Sequence, residues 1–228
     1  MNWVIENLGL IWQLSVEHVR QSIPPIIIGL LVSLPLGWLA WRYRLLREPV
    51  LVITGILYTI PSLALLMILP VILGISTLSE LNLVVALTLY AIALMTRGVA
   101  DGLASVDPDA RFAAVAMGYG APRRLVTVDL RLAGPVILAG LRVTAVSTVA
   151  LATVGILIGV QNLGYLFTNG LQRDIVAEVL SGVIAVVIIA LVFDVVLVLA
   201  GRLAMPWLHV DKRTRGTRRT RIVLEVGA

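Results

Sequence analysis

DGLASVDPDARFAAVAMGYGAPRRLVTVDLRLAG, residues 101–134, interrupts an apolar chain with a basic stretch too charged to cross a bilayer. Within it Asp107 is placed to accept orphan N–H groups as an N-cap, Pro108 already holds the dihedral of a first helical position, and Asp109 suits the first turn. Phe112, Val115, Ala116 and Tyr119 then recur at i, i+3, i+4 and i+7, which predicts a short helix with one apolar stripe. Gly118 and Gly120 end it. Pro122 opens a second helix, in which Leu125, Val128, Asp129 and Leu132 keep helical spacing among Arg123, Arg124 and Arg131. The stretch reads as helix, turn and helix presented outside the membrane.

The surroundings set the class. Of 228 residues, 59% are apolar and 14% charged, and the mean hydropathy is +1.01, the balance of an integral membrane protein. The net charge of +5 does not point to nucleic acid, because the basic residues cluster beside hydrophobic segments. With no cysteine, disulfides, thiolate catalysis and cysteine-ligated zinc are excluded. No GxxxxGK[ST] stretch exists to cradle a nucleotide, and no GxSxG or HExxH accompanies the serines and carboxylates. The chain therefore reads as a conduit, with neither a catalytic residue nor a metal or cofactor site of its own.

Crossing a bilayer takes about 20 predominantly apolar residues. Segments 22–41, 50–73, 83–95 with its flanks, 135–160 and 178–200 qualify, so the expected fold is all-α with about five transmembrane helices. The third carries Asn82 and Arg97 at its edges, and Arg97 can snorkel to the interface. Residues 1–20 lack a positive leader and contain Glu6 and Glu17, so they do not read as a signal peptide. Val4, Leu8 and Ile11 with two tryptophans suit either an interfacial amphipathic helix or a packed leader to the first span. Residues 21–205 make up the membrane domain, and 206–228 form a basic tail held near anionic headgroups.

Arginine and lysine placement sets the expected orientation. Arg42, Arg44 and Arg47 follow the first span, Arg97, Arg111, Arg123, Arg124 and Arg131 surround the long loop, and seven more lie from Arg202 to Arg221. Arg20 and Arg173 fall on the other side. The positive-inside rule then puts the N-terminus outside and the tail in the cytoplasm. His18 and His209 fall on opposite sides, which removes a paired-histidine metal site and a histidine-based triad. The helix at Asp107 is left facing the cytoplasm with an apolar stripe that has no partner in the chain, the mark of a docking surface.

Ala113, Ala114 and Gly118, with Val128 and Leu130 where Ile and Leu are expected, resemble the EAA loop of ABC importer permeases, with Phe112 replacing its Glu and Arg131 its Pro. TIPSLALL at 59–66, GPVILAGLR at 134–142 and QNLGYL at 161–166 are similar to permeases of osmoprotectant importers that carry glycine betaine, choline or carnitine. The resemblance implies the type I importer permease fold in a prokaryotic inner membrane. It also implies a second permease subunit, two cytoplasmic ATPases that handle ATP and Mg, and an extracytoplasmic binding protein. Asp107, Phe112, Ala113, Ala114, Val115, Met117, Gly118 and Tyr119 become the expected ATPase-coupling residues. An amino-acid importer permease, which shares the five-span plan, and an ion-coupled secondary carrier are the alternatives.

Within the spans, Arg142 and Asp194 each lie about 10 Å deep, and intramembrane charge at that depth calls for pairing with one another or with backbone carbonyls. Pro61 cannot donate a backbone hydrogen bond and favours a kink that Thr59 or Ser62 is placed to satisfy, so Tyr58, Thr59, Pro61 and Ser62 are candidates for the translocation path or gate. Tyr58 and Tyr90 offer cation–π surface for a quaternary amine, but a cage needs several converging rings and aromatic residues are only 6% of the chain, so interfacial or packing roles are the expected ones. Gly155 and Gly159 form a GxxxG spacing that permits close helix approach.

Overall fold

The structure, a computed structural model, describes residues 2–209; the expected tail from Asp211 onward lies outside the described residues. Helix α1 (Asn2–Glu6) stops at Asn7, whose side-chain amide donates to the carbonyl of Trp3 at 2.7 Å. Helix α2 (Leu8–Arg42) then continues without a break for 35 residues, about 50 Å, through Pro24, Pro25 and Pro35. It exceeds the hydrocarbon thickness of about 30 Å, so the segment before residue 20 extends the first span as one rod.

Helix α5 (Glu80–Ala104) is the axis of the bundle, packed against α2, α3 (Arg44–Thr59), α4 (Ser62–Leu73) and α8 (Leu130–Ala152). Small residues bring it close to its neighbours. A Cβ at Gly29 would sit 2.5 Å from the Ala91 Cβ, and one at Gly37 would meet Val99 Cβ at 2.5 Å. Between them Ser33 donates to the Ile92 carbonyl at 3.2 Å. Gly29, Ser33 and Gly37 thus form an i, i+4, i+8 stripe of the kind that lets membrane helices touch backbone to backbone. On an adjoining face of α5, Gly98 meets Gly140 of α8.

Four helical stretches are long and apolar enough to span: α2, α5, the continuous run Ala121–Ile158 that contains α8, and α10 (Val176–Ala204). The fifth expected span, 50–73, is not one helix. It is α3 and α4, bent by 107° at Ile60–Pro61, where both residues are extended. The break far exceeds a kink, and neither expected residue satisfies it. Thr59 bonds back to Ile56, while the Tyr90 hydroxyl on α5 donates to the half-buried Ile60 carbonyl at 2.5 Å.

The far end of the bundle is closed by a buried amide network. After α8 the chain tightens into a 3-10 turn (Thr153–Ile158), and Gly159 caps it at φ +78°, so Gly155 and Gly159 do not present one helical face. Asn162, fully buried, donates to the Gln21 side chain at 3.0 Å and the Ala152 carbonyl at 2.8 Å, and accepts from Gly164 N–H at 2.8 Å. Gln21 donates to the Gln161 carbonyl, and His18, also fully buried, bonds the Val149 carbonyl at 2.9 Å. Helix α9 (Gly164–Gln172) then docks on α10, with Asn169 donating to Glu178 at 2.5 Å.

Asn162→Ala is expected to leave the Gln21 side-chain oxygen, the Ala152 carbonyl and the Gly164 N–H without their partner in the buried interior, at a cost of about 2 kcal/mol or more. Gly164→Ala forces a Cβ to 2.0 Å from the Thr153 carbonyl oxygen and is expected to be worse. Unfolding midpoints of the purified protein in detergent check both, and an Asn162→Ala midpoint equal to wild type would contradict the clamp.

Candidate functional site

Helix α6 (Pro108–Ala116) begins where local chemistry requires, with Asp107 accepting the Asp109 N–H at 2.9 Å and Pro108 in the first turn. It ends in a Schellman motif: Gly118 N–H bonds the Val115 carbonyl, Tyr119 N–H bonds the Ala114 carbonyl, and Gly118 sits at φ +82°, where a side chain would be strained. Phe112 is 71% exposed, Val115 51% and Met117 69%. Ala113 and Ala116 are exposed beside them. Ala114 is buried, so its part is packing against the protein body. Tyr119 lies beyond the helix end and stacks with the Arg123 guanidinium, 4.8 Å from its ring centroid, so it leaves the expected stripe. Pro108, Arg111, Phe112, Val115 and Arg124 line a shallow groove of about 340 Å³ on this surface.

What fixes this helix to the bundle was not visible in the linear pattern. Helix α7 (Ala121–Arg124) runs into a π-helical turn (Leu125–Asp129) that turns the Asp129 carboxylate inward, where it is 1% exposed. Arg111 of α6 donates Nε to Asp129 Oδ1 at 2.9 Å, and Arg124 donates Nε to Oδ2 at 3.3 Å. Arg111 also donates to the Leu103 carbonyl at the end of α5, and its guanidinium lies 4.7 Å from the centroid of the Trp41 ring on α2. One arginine therefore joins the exposed helix to α2, to α5 and to the base of α8. The sequence signal for it was a lone acid on an otherwise apolar helical spacing, between arginines in excess.

The other expected site residues separate into two places. Arg142 and Asp194 meet in a bidentate pair between α8 and α10, at 2.6 and 2.8 Å. Tyr58, Thr59 and Pro61 are exposed around the α3–α4 break, and Ser62 is half-buried there. The Tyr58 and Tyr90 rings meet edge to face at 5.9 Å, and Tyr90 is buried, so this pair does not open as a cage for a cation.

A family described as the binding-protein-dependent transport system inner membrane component matches residues 29–210. The chain is 30% identical over 200 residues to the choline transport system permease protein OpuBB of Bacillus subtilis, covering 88% of this chain and 91% of that protein. It is 33% identical over 178 residues to the carnitine transport permease protein OpuCB of Listeria monocytogenes, covering 78% and 80% of the two. The osmoprotectant import permease protein OsmW of Salmonella typhimurium is 28% identical over 196 residues, with 85% and 91% covered. Among solved structures, an inward-facing form of the MetNI methionine ABC transporter superposes with a TM-score of 0.73 at 21% identity, covering 87% of this chain and 96% of that one, a likeness of fold.

Asp129→Asn keeps the side-chain shape but withdraws charge from two arginines. Removing one member of a buried pair costs about 3–5 kcal/mol, and partial exposure of both arginines lowers the expected loss to about 2 kcal/mol. Thermal unfolding in detergent checks this against Arg131→Gln, an exposed substitution expected to fall within about 0.5 kcal/mol of wild type.

Proposed function

Since this chain belongs to the family of binding-protein-dependent transport system inner membrane components, we propose that it is the permease subunit of an ATP-driven importer for a small osmoprotectant, a quaternary amine such as glycine betaine, choline or carnitine. The observation that carries the coupling half of this reading is helix α6, with exposed Phe112, Val115 and Met117 and rigid attachment through Arg111 and Asp129. A large apolar patch on a polar connection calls for a partner. That partner is a cytoplasmic ATPase, which holds ATP and Mg, and Phe112 in place of the EAA glutamate makes the contact apolar. Asp107 and Gly118 set the two ends of the docking helix, while Ala113, Val115 and Met117 share the contact surface with Phe112.

The basic end of the bundle faces the cytoplasm, with the N-terminus outside. A second permease, identical or homologous, covers the α3–α4 face, where Tyr58, Thr59, Pro61 and Ser62 place polar atoms at a helix break in a region too polar for lipid contact. An extracytoplasmic binding protein delivers the solute. Closure of the ATPase pair on ATP pulls α6 and favours the outward-facing state, a shift limited by the difference in affinity for the two states.

Uptake of labelled glycine betaine, choline and carnitine by the complex reconstituted with its binding protein tests the reading. Saturable, ATP-dependent uptake of at least one is expected. Uptake of an amino acid alone would move the chain to a different importer subgroup, and solute movement indifferent to ATP would point to an ion-coupled carrier. For the docking surface, Phe112→Ser is expected to weaken association with the ATPase by about 2 kcal/mol, roughly 30-fold, in a titration of the purified subunit. Because Phe112 is exposed, the helix content is expected to stay unchanged.

A further inference from the structure

Between the basic end of α2 and the α7–π turn lies a trough of about 540 Å³, within the range of ligand pockets and far larger than a packing defect. Its walls are almost wholly apolar, formed by Leu34, Pro35 and Trp38 on one side and Pro122, Leu125 and Leu130 on the other. Arg42 and Arg124 share the lining. The charges there do not balance. Asp129 is the single acid of the trough and is engaged by both Arg111 and Arg124, and Arg42 has no carboxylate partner among the described residues. The bound form of Arg124 uses only Nε, at 3.3 Å, which leaves its terminal nitrogens free to donate.

The position within the bilayer narrows the occupant. Arg42 ends a membrane-spanning helix, and Trp38 and Trp41 just before it are the residue type that settles at headgroup depth. Along α2 the exposed Ile27 and Leu31 share a face with Leu34, Pro35 and Trp38, so an apolar track leads from the trough toward the bilayer centre. A greasy track ending at two arginines with spare donors, level with the headgroups, matches one kind of molecule in both halves. We propose that the trough is a binding site for an anionic phospholipid, its phosphodiester held by Arg42 and Arg124 and its acyl chain laid along the Ile27, Leu31 and Trp38 face of α2. A zwitterionic headgroup carries its own cation and gains less from the unbalanced arginines. The proposal depends on the membrane embedding and not on the transported solute or the ATPase.

The test uses the full chain in its purified assembly, in nanodiscs of equimolar phosphatidylglycerol and phosphatidylcholine, with a photoreactive benzoylphenylalanine at the exposed Ala121 of the trough. Mass spectrometry is expected to find phospholipid adducts enriched in phosphatidylglycerol. Arg42→Gln in the same background is expected to reduce that enrichment about fivefold, the share of one interfacial cation. Without the photoprobe, Ala121→Trp, which fills the trough but leaves both arginines, is expected to lower retention of phosphatidylglycerol by native mass spectrometry. Adducts to a second copy of the chain or to the ATPase would overturn the proposal, as would equal labelling of the two lipids. Phosphatidylglycerol retention unmoved by Ala121→Trp would reduce the site to surface charge and overturn it as well.

Discussion

A bilayer gives apolar helices no hydrophobic reason to associate, so this bundle stands on how closely α2 and α5 approach. Gly29, Ser33 and Gly37 remove side-chain bulk along one line of α2, and Ala91, Thr96 and Val99 of α5 occupy the space. Close approach brings dispersion contacts and lets Ser33 and Thr96 satisfy their hydroxyls within the interface. With α2 and α5 fixed, α8 completes the core through the Gly98–Gly140 contact, and α3, α4 and α10 are added at the periphery. The exposed apolar surface of α10, from Val183 to Leu199, follows from that arrangement, since its contacts with α8, α9, α2 and α1 leave this side of the helix uncovered.

The two ends of this core are closed by different chemistry. At one end neutral amides do the work: Asn162 uses both of its N–H donors and its carbonyl oxygen inside the protein, and Gln21 and His18 bond backbone carbonyls. Neutral groups avoid the desolvation cost of ions, and Asn162, with both donors and its oxygen engaged, is held rigidly. At the other end the fixing group is the buried Asp129 carboxylate with two partly exposed arginines. Arg111 is the side chain that crosses from the exposed helix to the core, so displacement of α6 is delivered to α2, α5 and the base of α8 together.

How much of this could be read from the chain depended on range. The limits of α6 are set by Asp107, Pro108 and Gly118 acting on their own backbone, and those residues announce themselves in sequence. The membrane class and the long apolar helices follow from composition in the same way. The Asp129 node and the Asn162 clamp join residues 18 and 141 positions apart, and nothing local marks them. The glycine spacing held only in part for a related reason: Gly155 does lie close against Leu83 of α5, but Gly159 ends the turn and shares no helical face with it, whereas the stripe between α2 and α5 includes a serine. At Pro61 the missing N–H was legible but the size of the bend was not, because the bend is held by Tyr90 from another helix.

That bend completes the mechanical picture. A helix interrupted at two extended residues resists bending far less than a continuous one, and α4 beyond the break packs on α5 through Leu65, Leu66 and Leu69, with Asn82 donating to the Leu66 carbonyl. The core of α2, α5 and α8 is stiff along its length, while α3 and α4 are joined to it by separate contacts on either side of Pro61. Rotation of the core therefore need not strain a span, because the change of angle falls on Ile60 and Pro61, where the Tyr90 hydroxyl already replaces a helical hydrogen bond. The coupling proposed for α6, in which the chain is moved from one end, calls for such a joint, and the break at Ile60 and Pro61 is where the chain offers one.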